Sequence, residues 1–438
     1  SHIPTPGALS LTSPRAVSDL TWLDWWNSAS VEVLWALSGA ADADLALNSL
    51  YRLMVALDNH QGNHDDIDHA IRTDPVFRVR LFALLGASSV LGDHLIANPT
   101  TWHLLRHDAP TRRDMLRELL GRIGAAPAGL VGDTATDTLD NVGTYRAAGT
   151  GTTCTTIETT LKQTYRTLLM RIAAIDLAGT YPENSRRVGQ PEVPLGTVTA
   201  QLADLADAAL TAALAVAIRH VYGDNPVESQ LAVIAMGKCG ARELNYISDV
   251  DVVFVAEPAD AAATRVASEL IRIGSHCFFE VDAALRPEGK HGALVRTLES
   301  HVTYYRRWAE TWEFQALLKH RPMTGYLPLG RAYSDVISPL VWQASQRNSF
   351  VADVQAMRRR VLENVPEAMK HRELKLGEGG LRDVEFAVQL LQLVHGRYDE
   401  TLRTPATIDA LAALIESGYV GREDGANLIE CYEFLRSL

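Results

Sequence analysis

The chain has 438 residues, of which 47% are hydrophobic and 21% charged, the balance of a folded globular protein too long for a single hydrophobic core. A formal net charge of −12 gives no chain-wide attraction for a phosphate backbone, so no nucleic acid partner is expected. The longest weakly polar run, Ala208 to Ile218, is too short to cross a bilayer and follows Asp204 and Asp207 at helical spacing, so it is expected as a buried helix with no membrane partner.

From Thr21 to about Arg122 apolar residues recur at helical spacing, for example Leu50, Leu53, Met54 and Leu57, then Leu81, Leu84, Leu85 and Leu91. No charged-then-apolar leader precedes them, so the expected location is cytoplasmic. Asp65, Asp66 and Asp68 stand beside His60, His64 and His69, a set able to ligate zinc. Asn59, Gly62 and Asn63 are turn formers and nothing fixes the ligands on one rigid face, so a polar turn between helices is the expected reading. Residues 126–156 are rich in Gly, Thr and Ala and read as a flexible connector. Helical patterns at Leu161 to Leu177 and Val198 to Tyr222 are separated by Tyr181 to Pro194, an inserted loop broken by Pro182, Pro191 and Pro194.

The pattern changes at Leu231. Leu231 to Met236 and Val250 to Val255 read as buried strands, and a helix is expected near Ala262 to Phe279. Strands are expected at Val281 to Arg286 and Ala293 to Thr297, and from His301 to the end the periodicity is helical. These elements predict three domains: an amino-terminal helical domain with the connector (1–160), a catalytic domain (161–335) and a carboxy-terminal helical bundle (336–438). Cys154, Cys239, Cys277 and Cys431 are too scattered for a metal ribbon or a disulfide staple and are expected as free thiols. The start at Ser1 and the uncapped helical pattern from Leu428 to Leu438 are read as a piece of a longer polypeptide.

Asp249-Val-Asp251 places two carboxylates two residues apart on a strand, so both leave the same face while Val250, Val252 and Phe254 point into the core. Two carboxylates this close repel unless a cation or a shared proton neutralises them, and hard oxygen ligands suit Mg²⁺ or Mn²⁺. A third ligand is expected from Val281-Asp282-Ala-Ala-Leu-Arg286, where alternation would put Asp282 and Arg286 on one face. Upstream, Gly237-Lys238-Cys-Gly240 ends the preceding strand in a turn whose glycines let backbone amides approach an anion. Gly237-Lys238 lacks the Ser or Thr of a P-loop, and Gly377-Glu-Gly379-Gly380-Leu-Arg382 lacks the third glycine of a dinucleotide fingerprint. Three carboxylates are enough to hold two divalent ions for in-line displacement at phosphorus.

Strand, glycine turn and Asp-x-Asp on the next strand resemble the polymerase-β-type nucleotidyltransferase layout. The stretch Met236 to Asp251 closely resembles the signature of the glutamine synthetase adenylyltransferase family. Val281 to Gly289, Thr311 to Arg321 and Lys375 to Phe386 follow in that family's order, and Leu84 to His94 is similar to its helical amino-terminal region. The resemblance implies an α+β, predominantly helical protein whose polymerase-β-type sheet is flanked by helical domains. It also implies two copies of the catalytic unit, one adding AMP to a tyrosine of glutamine synthetase and one removing it by phosphorolysis as ADP. More than two hundred residues precede the motif here, and Lys375 to Arg382 resembles the first copy's version, so the adenylyl-removing half is expected. The adenylylating half, a nucleotidyltransferase for RNA or small molecules, and a catalytically idle regulatory module stand as alternatives.

On this resemblance Asp249, Asp251 and Asp282 are expected to bind two Mg²⁺ ions, with Mn²⁺ as a substitute. Gly237, Lys238, Ser248, Arg286, Lys319 and Arg321 are the candidates for holding nucleotide and phosphate, each cation having a structural ion pair as its plain alternative. Gly379 and Gly380 either present amides to an anion or only make a turn. Trp312 and Phe314 are candidates to stack on adenine, though helix aromatics are more often core, and Arg382, Asp383 and Glu385 are expected to tie the bundle to the sheet. Implied partners are glutamine synthetase, the PII signal protein, and a second catalytic half. Cys239 in place of the usual Leu, Ala241 in place of Gly, and the Tyr181 to Pro194 insertion depart from the family pattern without touching a carboxylate.

Overall fold

The computed structural model describes residues 18, 21, 23–25, 27–60, 64–127, 144–149, 154–180, 188–189, 192–347, 349–370 and 372–438. They fall into two compact units, one within Ser1–Met115 and Thr159–Gln201, the other within Leu116–Glu158 and Leu202–Leu438.

The first unit is helical. Its helices α1 (Val31–Ser38), α2 (Ala43–Asn59), α3 (His64–Thr73), α4 (Pro75–Ala87) and α5 (Ser89–Ala97) begin where the sequence provides caps. Asp42 accepts from the Leu45 amide, Asp74 from Phe77 with Pro75 opening the helix, and Ser88 from Leu91. Leu50, Leu53, Met54, Leu57, Leu81, Leu84 and Leu85 are buried as their spacing predicts, around Trp25 and Phe82. A turn does separate the helices at His60, with residues 61–63 outside the described residues, but His64 to His69 lie beyond it and start α3, with Asp65 and Asp66 in its first turn, where the helix dipole favours them. Asp68 accepts from the Trp25 indole (3.0 Å) and pairs with Arg72 (2.7 Å), while His64 Nδ1 meets Asp58 (2.8 Å). Among the described residues no three of these side chains converge on a point.

Most of the expected connector, and residues 181–187, 190 and 191 of the expected insertion, lie outside the described residues. Within the connector, β1 (Ala126–Pro127) pairs antiparallel with β2 (Tyr145–Arg146). Two long helices follow, α6 (Cys154–Gly179) and α7 (Leu195–Tyr222). In α7 every residue from Leu205 to Ile218 is buried, so the apolar run is a core helix.

The second unit is built on a five-stranded mixed sheet. β3 (Gln230–Ala235) and β4 (Val250–Glu257) pair antiparallel, with the short helix α8 (Gly237–Gly240) between them. After α9 (Ala261–Cys277), β5 (Val281–Asp282) runs parallel to the start of β4 and β6 (Val295–Arg296) parallel to its later part. β5 is shorter than expected because the chain turns immediately after Asp282, and β6 is limited to Val295–Arg296. Helices α10 (Leu298–Arg307) and α11 (Thr311–Leu317) lead into β7 (Arg321–Gly325), antiparallel to β3. This strand corrects the expectation of unbroken helical pattern after His301: Pro322 and Gly325 within five residues erase the usual strand signal, and Pro is tolerated on an edge.

One sheet face, with Ala232, Ile234, Val253 and Val255, packs against Tyr305, Phe314, Tyr333 and Ile337. These come from α10, α11 and α12 (Leu327–Gln343). On the other face Val233, Val250, Val252 and Phe254 are also buried. Helices α13 (Phe350–Glu363), α14 (Leu381–His395), α15 (Thr407–Glu416) and α16 (Arg422–Ser437) complete the unit. Leu381, Val384, Val388, Leu411, Leu414 and Tyr432 form a separate small core there.

Candidate active site

Asp249 immediately precedes β4 and Asp251 is its second residue, so strand alternation sends both side chains to one face. Parallel pairing sets Asp282 of β5 directly beside Asp251. One carboxylate oxygen from each of the three lies within 4.8 Å of the others. The Ala284 amide donates to Asp282 Oδ1 at 2.7 Å, which fixes that side chain as the chain turns away. At the end of β3, Met236 N–H donates to the Asp251 carbonyl at 2.9 Å and brings Gly237 against the aspartate. Gly237 has φ +54°, and a Cβ there would stand 2.5 Å from Asp251 Oδ2, so only glycine fits beside the intact carboxylate.

Burial first, then repulsion from Asp249 and Asp282, pushes the Asp251 pKa up from the ordinary 3.8 to about 6. Three carboxylates in contact distance, one of them held in an unfavourable environment for its charge, are a donor set that fits a hard divalent cation.

Asp249 and Asp251, with Asp282 beside them, open onto a cavity of about 510 Å³ that the first two line, within the range of small-molecule sites. The sheet end supplies Gly237, Lys238, Ser248, Asp249 and Asp251; Trp312, Arg382 and Glu385 come from helices, Lys319 from the turn after α11 and Lys375 from the loop before α14. Of the residues expected from sequence, Gly237, Lys238, Ser248 and Lys319 therefore line the same space as Asp249 and Asp251. Trp312 does too, whereas Phe314 is in the sheet core. Lys319 is buried and already paired, its Nζ 2.8 Å from Glu243 Oε2 and 3.0 Å from Thr407 Oγ1. Arg321 makes a bidentate pair with buried Asp207 of α7 (2.7 and 2.9 Å) and donates to the Cys239 and Gly240 carbonyls, bracing α8 from below. Arg286 does not share a strand face with Asp282. It donates to the carbonyls of Ala283, Lys290 and Gly292 and closes the turn that follows β5.

The glycines at 379 and 380 make a turn and nothing more. Gly379 N–H donates to Asp383, Gly380 N–H to Gly377, and Arg382 N–H to Lys375. That closed loop delivers two cavity residues not singled out from sequence as ligands, Lys375 and Arg382. The only signal for them was the glycine-rich stretch itself, which says that a loop must close but not which side chains it presents. Arg382 pairs with buried Glu385 (2.9 Å), and Tyr432 donates to the same carboxylate. Burial disfavours the Glu385 carboxylate, but Lys319, Arg382, Lys238 and Arg436 outweigh it and hold its pKa below the ordinary value. Arg436 of α16 donates to the Glu243 carbonyl (2.8 Å) and Asn245 (2.6 Å) in the segment leading into Asp249, whereas Arg382 and Asp383, expected to tie the bundle to the sheet, pair within the bundle with Glu385 and Arg358. Lys238 is pulled down to about 8 by burial and by the nearby charges of Arg436, Lys375 and Arg382.

A small mixed sheet carrying two aspartates at the start of one strand, a third on its parallel neighbour and a glycine turn beside them defines a nucleotidyltransferase catalytic domain. Residues 144–334 match the family model described as glutamate-ammonia ligase adenylyltransferase, and residues 355–438 match one described as GlnD PII-uridylyltransferase. The whole chain aligns with proteins named bifunctional glutamine synthetase adenylyltransferase/adenylyl-removing enzyme: 64% identity over 444 residues in Corynebacterium glutamicum, 62% over 448 in Corynebacterium efficiens and 50% over 444 in Mycobacterium bovis. This chain belongs to the glutamine synthetase adenylyltransferase family. It spans 100% of its own length in these alignments but 42%, 42% and 41% of those relatives.

Proposed function

We propose that this chain removes AMP from an adenylylated tyrosine of glutamine synthetase by Mg²⁺-dependent phosphorolysis, releasing ADP. The convergence of Asp249, Asp251 and Asp282 at the mouth of a nucleotide-sized cavity carries this reading. These three residues would hold the divalent ions, two Mg²⁺ or in their place Mn²⁺, whose chemistry is to neutralise charge on the attacking and leaving oxygens. The protein's own part is positioning. The Gly237 turn lets the transferred phosphate approach the backbone, and Lys238 and Ser248 lie in the same cavity. A tyrosine phenolate, with a pKa of about 10, is a better leaving group than an alkoxide, so no covalent enzyme intermediate is needed.

The relatives carry both directions in their names, and the length of helical sequence before the motif supports the removing direction here. The test is product analysis after mixing the chain with adenylylated glutamine synthetase, Mg²⁺ and inorganic phosphate. ADP and unmodified glutamine synthetase are expected. ATP-dependent AMP incorporation with pyrophosphate release, and no ADP, would instead assign the adenylylating direction.

A further inference from the structure

The proposed reaction brings two phosphate groups to one cavity, the one being cleaved and the one that attacks. The carboxylate cluster accounts for the first through its cations. Of the cations expected from sequence, Arg286, Lys319 and Arg321 are each held by carbonyl or carboxylate partners. Three others line the cavity: Lys238, Lys375 and Arg382. Among the described residues neither the Lys238 nor the Lys375 ammonium has a hydrogen-bond or ion-pair partner. Arg382 is paired with Glu385 through Nη1 only. These cations share the cavity with Glu385 and with Asp249 and Asp251, and the two ammonium groups are the ones an incoming anion can engage without breaking an existing ion pair.

The arrangement is also rigid. Backbone bonds from Arg382 to Lys375 (3.0 Å) and from Leu381 to Leu374 (2.9 Å) clamp the two ends of the loop together. Arg358 holds its interior through the Leu376 and Gly377 carbonyls (3.1 and 2.9 Å).

We infer that Lys238, Lys375 and Arg382 form a subsite for the phosphate group that is not part of the transferred AMP. Resting on the proposed direction, its occupant is inorganic phosphate; in the opposite direction the same chemistry would hold the terminal phosphates of a nucleoside triphosphate. In phosphorolysis an oxygen of hydrogen phosphate forms a new bond to the AMP phosphorus as the bond to the phenolic oxygen breaks. The electron pair leaves on the phenolate, which takes up the proton that hydrogen phosphate gives up, and the products are ADP and tyrosine.

The test uses the full 438-residue chain carrying Lys375→Ala or Arg382→Lys, with initial rates of ADP formation measured against inorganic phosphate concentration. Lys375 is exposed enough for its truncation to leave the fold intact, and Arg382→Lys keeps the charge while losing the fork. The KM for phosphate is expected to rise roughly ten- to a hundredfold in Lys375→Ala, with the Mg²⁺ dependence unmoved. An unchanged phosphate KM in both variants overturns the subsite while leaving the proposed direction standing. Should the unsubstituted chain make no ADP but transfer AMP from ATP, the direction fails, and the variants are read by inhibition with pyrophosphate. Weaker inhibition then supports the subsite and unchanged inhibition overturns it. If neither direction turns over, calorimetry with inorganic phosphate and Mg²⁺ decides: binding lost in Lys375→Ala supports it, and equal or no binding in both proteins overturns it.

Discussion

Buried charge is handled differently in the helical unit and in the catalytic cavity. Among the described residues of the helical unit the buried arginines end on acceptors: Arg78 on the carbonyls of Ile71 and Arg72, Arg80 on those of Leu105 and His107. Buried His94 meets Thr167, and burial, helped by Arg166, lowers its pKa and keeps it neutral. Under the catalytic sheet the same rule holds for Asp207 with Arg321 and Glu243 with Lys319. At the cavity it fails on both sides: three carboxylates gather at the sheet end, and among the described residues the Lys238 and Lys375 ammonium groups have no hydrogen-bond or ion-pair partner. Local electrostatic conflict of this kind is the physical basis on which the cavity is proposed as the substrate site.

The sharpest way to break this contrast is Asp251→Asn. The isosteric change removes the most strained charge of the cluster and a ligand of the expected ions, so turnover should fall by roughly a thousandfold or more, several kcal/mol in activation free energy. Retention of near-normal turnover would show that the cluster is only a solvated strand end. Asp207→Ala is the complementary case. It strands Arg321 beneath α8 without its bidentate partner and should cost about 3–5 kcal/mol in urea unfolding, because one buried charge is left uncompensated. A variant as stable as the parent chain would mean that Arg321 relaxes to solvent and that the pair does not brace the turn.

The sequence made the carboxylates legible because a period of two is a strong constraint: Asp249 and Asp251 must share a face wherever β4 lies. Extending the same rule to Arg286 failed, since alternation holds only while the chain stays extended, and it turns after Asp282. Pairing of cations was illegible for a different reason. Asp207 and Arg321 are 114 residues apart, Glu243 and Lys319 are 76 apart, and neither separation leaves a local trace. The sequence offers Lys375 only as part of a family marker and Arg382 as a tie between bundle and sheet; loop closure is what brings both into the cavity that Asp249 and Asp251 line. β7 was hidden by its own Pro322 and Gly325, tolerated because the strand borders β3 alone.

A smaller effect sharpens the electrostatic side of the comparison. In metal-free protein, raising the Asp251 pKa from 3.8 to about 6 means that the folded state binds the proton more tightly than the unfolded chain. Near pH 4 and below, both states are protonated and the site costs nothing. As the pH rises from 4 to 6 stability is lost, and at neutral pH the penalty is about 3 kcal/mol. In the presence of a chelator Asp251→Asn should therefore be more stable than the parent at pH 7, with the advantage vanishing toward pH 4. Urea midpoints at several pH values check this, and a difference independent of pH would mean that Asp251 is relaxed without its ion. Added Mg²⁺ should stabilise the parent and not the variant.

The smallest expected effect separates an arginine that holds the fold from one proposed to hold substrate. Arg286, in the turn after β5, and Arg382, in the first turn of α14, both lie near the carboxylates, and both would pass as phosphate ligands by residue type. Arg286 spends Nε, Nη1 and Nη2 on three carbonyls of its own turn, so Arg286→Lys loses at least one of these bonds and should destabilise the chain by about 1 kcal/mol. Because no substrate contact is lost, the phosphate KM should stay within about twofold of the parent, in contrast to the Arg382→Lys variant. A selective rise in phosphate KM for Arg286→Lys, without loss of stability, would move the anion toward β5 and away from the Lys375 loop.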